Sequence, residues 1–128
     1  MTDLLFWIFM LLTALLIPGC MIGFGRQFMK NPPKKINDGY GYRTSRSMRS
    51  QAAWDFSHAY SGRLLYRMGR PTLAISLVWM VLLFGKDVDT VGHYTLVLEF
   101  LQLLPLLAVI PATERALKRE LDDFGRKR

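Results

Sequence analysis

Three stretches of the chain are almost free of charge. Residues 4–25 are 22 positions with none, residues 71–85 are 15 with none, and residues 90–113 are 24 with one, Glu99. Their apolar residues run continuously and do not alternate, which excludes the strands of a membrane β-barrel and predicts helices. A span needs roughly 20 apolar residues to cross about 30 Å of hydrocarbon. The first span is expected at about 4–24, with Pro18 tolerated because neighbouring helices satisfy the backbone in a bundle. The second must reach back from 71–85 to about residue 64, with Arg67 and Arg70 snorkelling to the headgroups and Pro71 inside a continuous, kinked helix. The third is expected at about 93–110, with His93 and Tyr94 at one interface.

The polar positions predict the rest. Pro32-Pro33 stops any helix that leaves the first span. Asn37-Asp38-Gly39 has turn chemistry. Ser50 precedes Gln51-Ala52-Ala53-Trp54 as an N-cap. Beyond it Trp54, His58, Ser61 and Leu65 share one side of a helix, with Phe56, Tyr60, Arg63 and Arg67 on another, the pattern of an interfacial amphipathic helix. After the third span, residues 112–128 read as a short charged helix with Thr113 as its N-cap. The expected fold is all-α: one integral membrane domain over residues 1–128, with three transmembrane helices, the interfacial helix inside a loop at 26–63, and the C-terminal helix.

Charge orients this arrangement. Of the 17 Lys and Arg residues, ten lie in 26–70, six in the tail and one, Lys86, between the second and third spans. The positive-inside rule then places the N-terminus and the short loop outside, and the long loop and tail in the cytoplasm. The net charge of +7 flanks membrane spans, so anionic lipid headgroups are a better partner than nucleic acid. One Cys and two His exclude a disulfide framework and a self-contained metal site, and no cofactor is expected. Ile17-Pro18-Gly19-Cys20 is close to a lipoprotein cleavage box, but no Lys or Arg precedes it. Cys20 reads instead as a small buried apolar residue, and Gly19 with Gly23 as a place where another helix approaches.

The candidate chemistry lies in the loop. Arg43, Arg46 and Arg49 recur every third residue among Thr44, Ser45, Ser47 and Ser50, just before a helix start. Guanidinium forks, hydroxyl donors and free N–H groups together suit an anion. The competing interpretation is a solvated basic loop serving orientation alone. Tyr40-Gly41-Tyr42 weighs against it, since charge by itself needs neither tyrosine nor glycine. The candidate anion site is Tyr40, Tyr42, Arg43, Thr44, Arg46, Ser47, Arg49 and Ser50. Trp54, His58 and Arg63 follow as candidates, His58 as a packing or hydrogen-bonding residue in preference to a metal ligand. In the third span Glu99 is an intramembrane acid, a functional candidate by default. Its packing interpretation pairs it with Gln102, three residues on, or with Thr95 or Ser76.

Ile36-Asn37, Tyr40-Gly41-Tyr42-Arg43-Thr44-Ser45-Arg46-Ser47-Met48, Trp54 and Ala59-Tyr60-Ser61-Gly62-Arg63 together resemble the SdpI family of bacterial membrane proteins. Pro18, Pro32-Pro33-Lys34, the run from Thr113 to Arg119, and Asp123-Phe124-Gly125 look like the family's pattern as well. The family's namesake is an immunity protein that protects a producer from its own secreted peptide toxin. It is about twice as rich in spans, and is implied to hold a transcriptional repressor at the membrane when toxin is present. The resemblance implies a short, three-span form working in protection or envelope-stress signalling, with a peptide toxin or a soluble regulator as partner. Two alternatives stay open: a scaffold that recruits a soluble partner, and a subunit handling a lipid-linked phosphate. An enzyme is not expected, because Asp38 and Asp55 are the only carboxylates in the loop and form no acid–base pair. A homo-oligomer is compatible with all three.

Overall fold

A computed structural model of the protein describes residues 2–37 and 39–128. Three helices run in order, α1 (Thr2–Lys30), α2 (Gln51–Leu82) and α3 (Val88–Glu120), and no strand occurs among the described residues. α1 and α3 are each long and apolar enough to cross a membrane, yet only 17% and 22% of their most apolar windows are buried inside the fold. Leu12, Leu16, Val78, Val81, Phe100 and Leu104 all point outward. A water-soluble bundle would bury such surface; a bilayer solvates it. The chain is a helical membrane protein.

α1 ends at Lys30 and Pro32 follows, as the sequence predicts. The Ser50 side chain caps α2 by accepting from the Ala53 N–H. Pro71 lies inside α2, which is continuous. The segment expected to lie at the interface is thus the first half of α2, and its Trp54, Ser57, His58 and Ser61 are buried in the bundle. The separate C-terminal helix does not exist. α3 runs through Pro105 and Pro111 to Glu120, so Thr113 is a buried mid-helix residue and caps nothing. Each proline removes a single N–H donor, a local loss that packed membrane helices absorb. Past Leu121 the tail turns back on itself: the Asp122 carboxylate accepts from the Phe124 and Arg126 N–H groups, and Leu121 bridges to Lys127.

The core is a chain of three apolar clusters. The first is centred on Ala14, Met80 and Val91, the second on Met21, Leu65 and Val109, and the third on Ala53, Leu117 and Leu121. The Trp7 indole donates to the Met80 carbonyl at 2.8 Å and ties α1 to α2 at the far end. The close helix approach is not at Gly19 and Gly23, where a Cβ would meet nothing within 4 Å. It is at Gly25 and Gly62, where α1 and α2 touch backbone to backbone. Cys20 is exposed on α1, not buried, because its face of the helix has no neighbour in the chain.

Candidate functional site

The loop 31–50 folds back over the end of the bundle as a built cap. The Trp54 indole donates to the Pro33 carbonyl at 2.6 Å, which fixes where the loop starts. Asn37 Oδ1 accepts from the N–H groups of Gly39 and Tyr40 and makes the turn expected there; Asp38 lies outside the described residues. Gly41, at φ +117, lets the backbone pass against the His58 ring. The Tyr42 N–H then donates to His58 Nε2 at 2.9 Å.

Thr44 and Ser47 tie the next turn by exchange. The Thr44 N–H donates to Ser47 Oγ, and the Ser47 N–H donates to Thr44 Oγ1. This leaves two hydroxyls facing one carboxylate. The Tyr42 hydroxyl donates to Glu114 Oε2 at 2.8 Å, and Thr44 Oγ1 donates to the same oxygen at 3.0 Å. Burial, with the hydrogen bond and charge of Glu114, pushes the Tyr42 phenol above its ordinary value, so it stays a donor.

The tail closes the cap. The Arg49 guanidinium donates to the Asp123 carbonyl at 2.9 Å, and Arg46 pairs with the Asp123 carboxylate at 3.6 Å. The Ser50 hydroxyl donates to the Gly125 carbonyl at 2.6 Å. Arg43 and Tyr40 are exposed, and Tyr40 packs its ring near Phe24 and Phe28. The structure therefore brings Tyr42, Thr44, Arg46, Ser47, Arg49 and Ser50 together in the cap, with Glu114 as partner of Tyr42 and Thr44 and Asp123 as partner of Arg46, and leaves Tyr40 and Arg43 outside that network. Glu114, Asp122 and Asp123 are the participants that sequence reasoning missed. Their pattern within the tail marks a charged helix and nothing about the loop 70 positions earlier.

His58 is fully buried, and its hydrogen bonds select one protonation state. Nδ1 lies 2.8 Å from the Trp54 carbonyl and must carry the proton, while Nε2 must be bare to accept from Tyr42. A second proton would set two N–H groups against each other. Burial holds His58 below its ordinary 6.5, opposed by the Trp54 carbonyl and the Asp55 charge. A released cap therefore takes up the proton first, so cap stability is complete above 6.5, falls as pH drops below it, and levels off under the depressed value. Amide exchange of Tyr42 and Thr44 is expected to accelerate from about pH 7 to about pH 5 beyond its intrinsic pH dependence. Protection that stays constant would show that His58 does not hold the loop.

Deeper in the bundle the expected Glu99–Gln102 pair does not form. Gln102 Nε2 donates to the Ala14 carbonyl and to Ser76 Oγ, both at 2.7 Å, and so staples all three helices. Glu99 meets Thr13 on α1 at 3.0 Å instead. Thr95 contacts the Met80 sulfur. Residues three apart differ by about 60° around a helix, enough to send Glu99 and Gln102 to different neighbours. Glu99→Gln, a near-isostere that keeps a polar link to Thr13, is expected to change stability by less than about 1 kcal/mol. Glu99→Lys is expected to lower membrane accumulation, with an insertion penalty of about 2.5–3.5 kcal/mol. Immunoblots of membrane fractions check both, and loss of the Gln variant would overturn the packing role.

Among the described residues no three His, Cys, Asp or Glu side chains group as metal ligands. The SdpI/YfhL protein family matches residues 34–113, a stretch that contains most of the loop, α2 and most of α3. The uncharacterized protein YfhL of Bacillus subtilis (strain 168) is 35% identical over 102 residues, covering 80% of this chain and 79% of YfhL. No solved structure matches.

Proposed function

The chain belongs to the SdpI/YfhL protein family, and from that premise we propose that it is a non-enzymatic protein of envelope protection or stress signalling whose cytoplasmic cap binds an anionic group. The carrying observation is that the cap already holds two anions of its own. Glu114 sits between the Tyr42 and Thr44 hydroxyls, and the Asp123 carboxylate lies against Arg46, while Arg49 holds the Asp123 main-chain carbonyl. The first is built in. The second is exchangeable: the Asp123 side chain is 77% exposed and its ion pair is long, at 3.6 Å, and exposed pairs of this kind are weak. An external carboxylate or phosphate displaces the Asp123 carboxylate and takes the Arg46 guanidinium, and the exposed Arg43 and Arg49 add positive charge from the same loop.

In this reading the protein crosses the bacterial cytoplasmic membrane three times, N-terminus outside and C-terminus inside. The ten-to-one Lys/Arg asymmetry of the two loops supports it, as does the meeting of the long loop and the tail at one end of the bundle. A C-terminal reporter active only outside the cytoplasm would contradict it.

The test of binding uses two opposite substitutions. Asp123→Asn removes the internal competitor and is expected to raise retention of a phosphorylated or acidic peptide by the detergent-solubilised protein. Arg46→Lys keeps the charge, loses the fork, and is expected to lower it. Cells carrying each variant in place of the native gene are then challenged with membrane-active peptides. Indifference of both binding and sensitivity to both substitutions would dismiss the reading. A scaffold that recruits a soluble protein is the second reading, favoured by Phe124, an aromatic ring 73% exposed at the tip of the tail.

A further inference from the structure

A pair of arginines on α2, away from the loop, lines a depression of its own. Counting back about 20 residues from Phe84 puts the inner edge of the hydrocarbon near Leu64. Arg70 lies on the membrane side of that edge, and its guanidinium sits 4.8 Å from the centre of the Tyr66 ring, one turn nearer the cytoplasm. That is the direction in which an embedded arginine seeks the headgroups. The headgroup level therefore falls at the turn containing Tyr66.

At this level Tyr60, Arg63, Leu64 and Arg67 line a shallow depression of about 80 Å³. Their spacing of three, four and seven places them on one face of the helix. Phe56 stacks on Tyr60, with ring centres 5.8 Å apart and planes inclined by 17°, and steadies the phenol. Arg63 and Arg67 are exposed. The ion pairs among the described residues are Arg46–Asp123 and Arg126–Asp122, so two adjacent guanidinium forks face the headgroup layer with no internal acid between them. Like charges one turn apart repel, and an anion between them removes that cost.

We propose that Tyr60, Arg63 and Arg67 bind the phosphate of an anionic phospholipid of the cytoplasmic leaflet. The two guanidiniums supply forks, the Tyr60 hydroxyl supplies a neutral donor, and Leu64 supports the glycerol side. A lipid suits the site better than a soluble phosphate because the same helix continues into exposed apolar surface at Ile75 and Val78, along which acyl chains lie. The site is independent of the loop and stands whether or not the cap takes an external ligand.

The test uses full-length protein in phosphatidylcholine nanodiscs that contain a minority of phosphatidylglycerol, with native mass spectrometry counting the phosphatidylglycerol that stays bound on release. The double variant Arg63→Gln, Arg67→Gln is expected to retain about tenfold less than the native protein, while Arg115→Gln, an exposed arginine on α3, retains the native amount. The charge-conserving pair Arg63→Lys, Arg67→Lys is expected to fall between them, and it carries the test if the glutamine pair does not accumulate. Native retention by the double glutamine variant overturns the proposal. Equal losses from Arg115→Gln do the same, because they reduce the effect to surface charge. Competition by soluble glycerophosphate at matched concentration overturns the lipid assignment.

Discussion

Gly25→Ala is expected to destabilise the bundle by about 3 kcal/mol, at the upper end of what overpacking costs. A Cβ on Gly25 would lie 2.6 Å from the Tyr66 backbone nitrogen and 2.8 Å from the Gly62 carbonyl oxygen. Neither atom belongs to a side chain that can rotate away, so α1 and α2 must part. Parting them also loosens Met21 and Leu65 in the middle cluster, and dispersion falls steeply with separation. Gly19→Ala and Gly23→Ala meet nothing within 4 Å and are expected to stay within about 1 kcal/mol of the native protein. Thermal unfolding in detergent, followed by helical circular dichroism, distinguishes the three. A Gly25→Ala protein that melts with the native one would mean that the helices do not approach as described.

The second large effect is local. Gly41→Ala is expected to release the cap and leave the bundle helical. Two costs coincide at this position. At φ +117 a side chain is strained, at about 1–3 kcal/mol. Its Cβ would also fall 2.5 Å from His58 Nε2 and 3.0 Å from Pro33 Cγ, which pushes the Tyr42 N–H off the imidazole. A combined cost of about 3 kcal/mol corresponds to roughly a hundredfold faster exchange of the Tyr42 and Thr44 amides. Gly39→Ala is the control, since its nearest neighbour would be Asn37 Oδ1 at 3.9 Å. Unchanged protection in the Gly41→Ala protein, with helix content intact, would mean that His58 and Tyr42 do not fasten the loop. The same experiment bears on function. A cap that has come away no longer holds Arg46 and Arg49 against the tail, so the proposed anion binding should be lost with it while lipid retention at Arg63 and Arg67 persists.

Much of the molecule is legible in the chain itself. Uncharged runs at 4–25 and 90–113 give helices that only a bilayer can solvate. Pro32-Pro33 ends α1, Asn37 starts a turn, and Ser50 caps α2. Each of these features is decided within about four residues, by a missing N–H, a side chain reaching its own backbone, or the solvent that a run of apolar residues requires. Local strength misleads where packing opposes it: Thr113 is a good cap residue two positions after a proline, yet α3 passes straight through it, because burial of Val109, Ala116 and Leu117 on one continuous face outweighs one donor lost at Pro111.

The sequence by itself determined the helical class, the membrane environment and the concentration of candidate chemistry in residues 40–50. Only the tertiary structure decided what that chemistry touches. Tyr42 and Glu114 are 72 positions apart and Ser50 and Gly125 are 75, and no local pattern relates them. Each residue turns a helix by about 100°, so the face that Glu114 or Glu99 presents depends on the phase accumulated along its whole helix. That phase acts together with how closely Gly25 and Gly62 let α1 and α2 approach. Spacing along the chain places the arginines together. Whether they meet a ligand, a lipid or the protein's own Asp123 is set by where three helices bring the two ends of the cap.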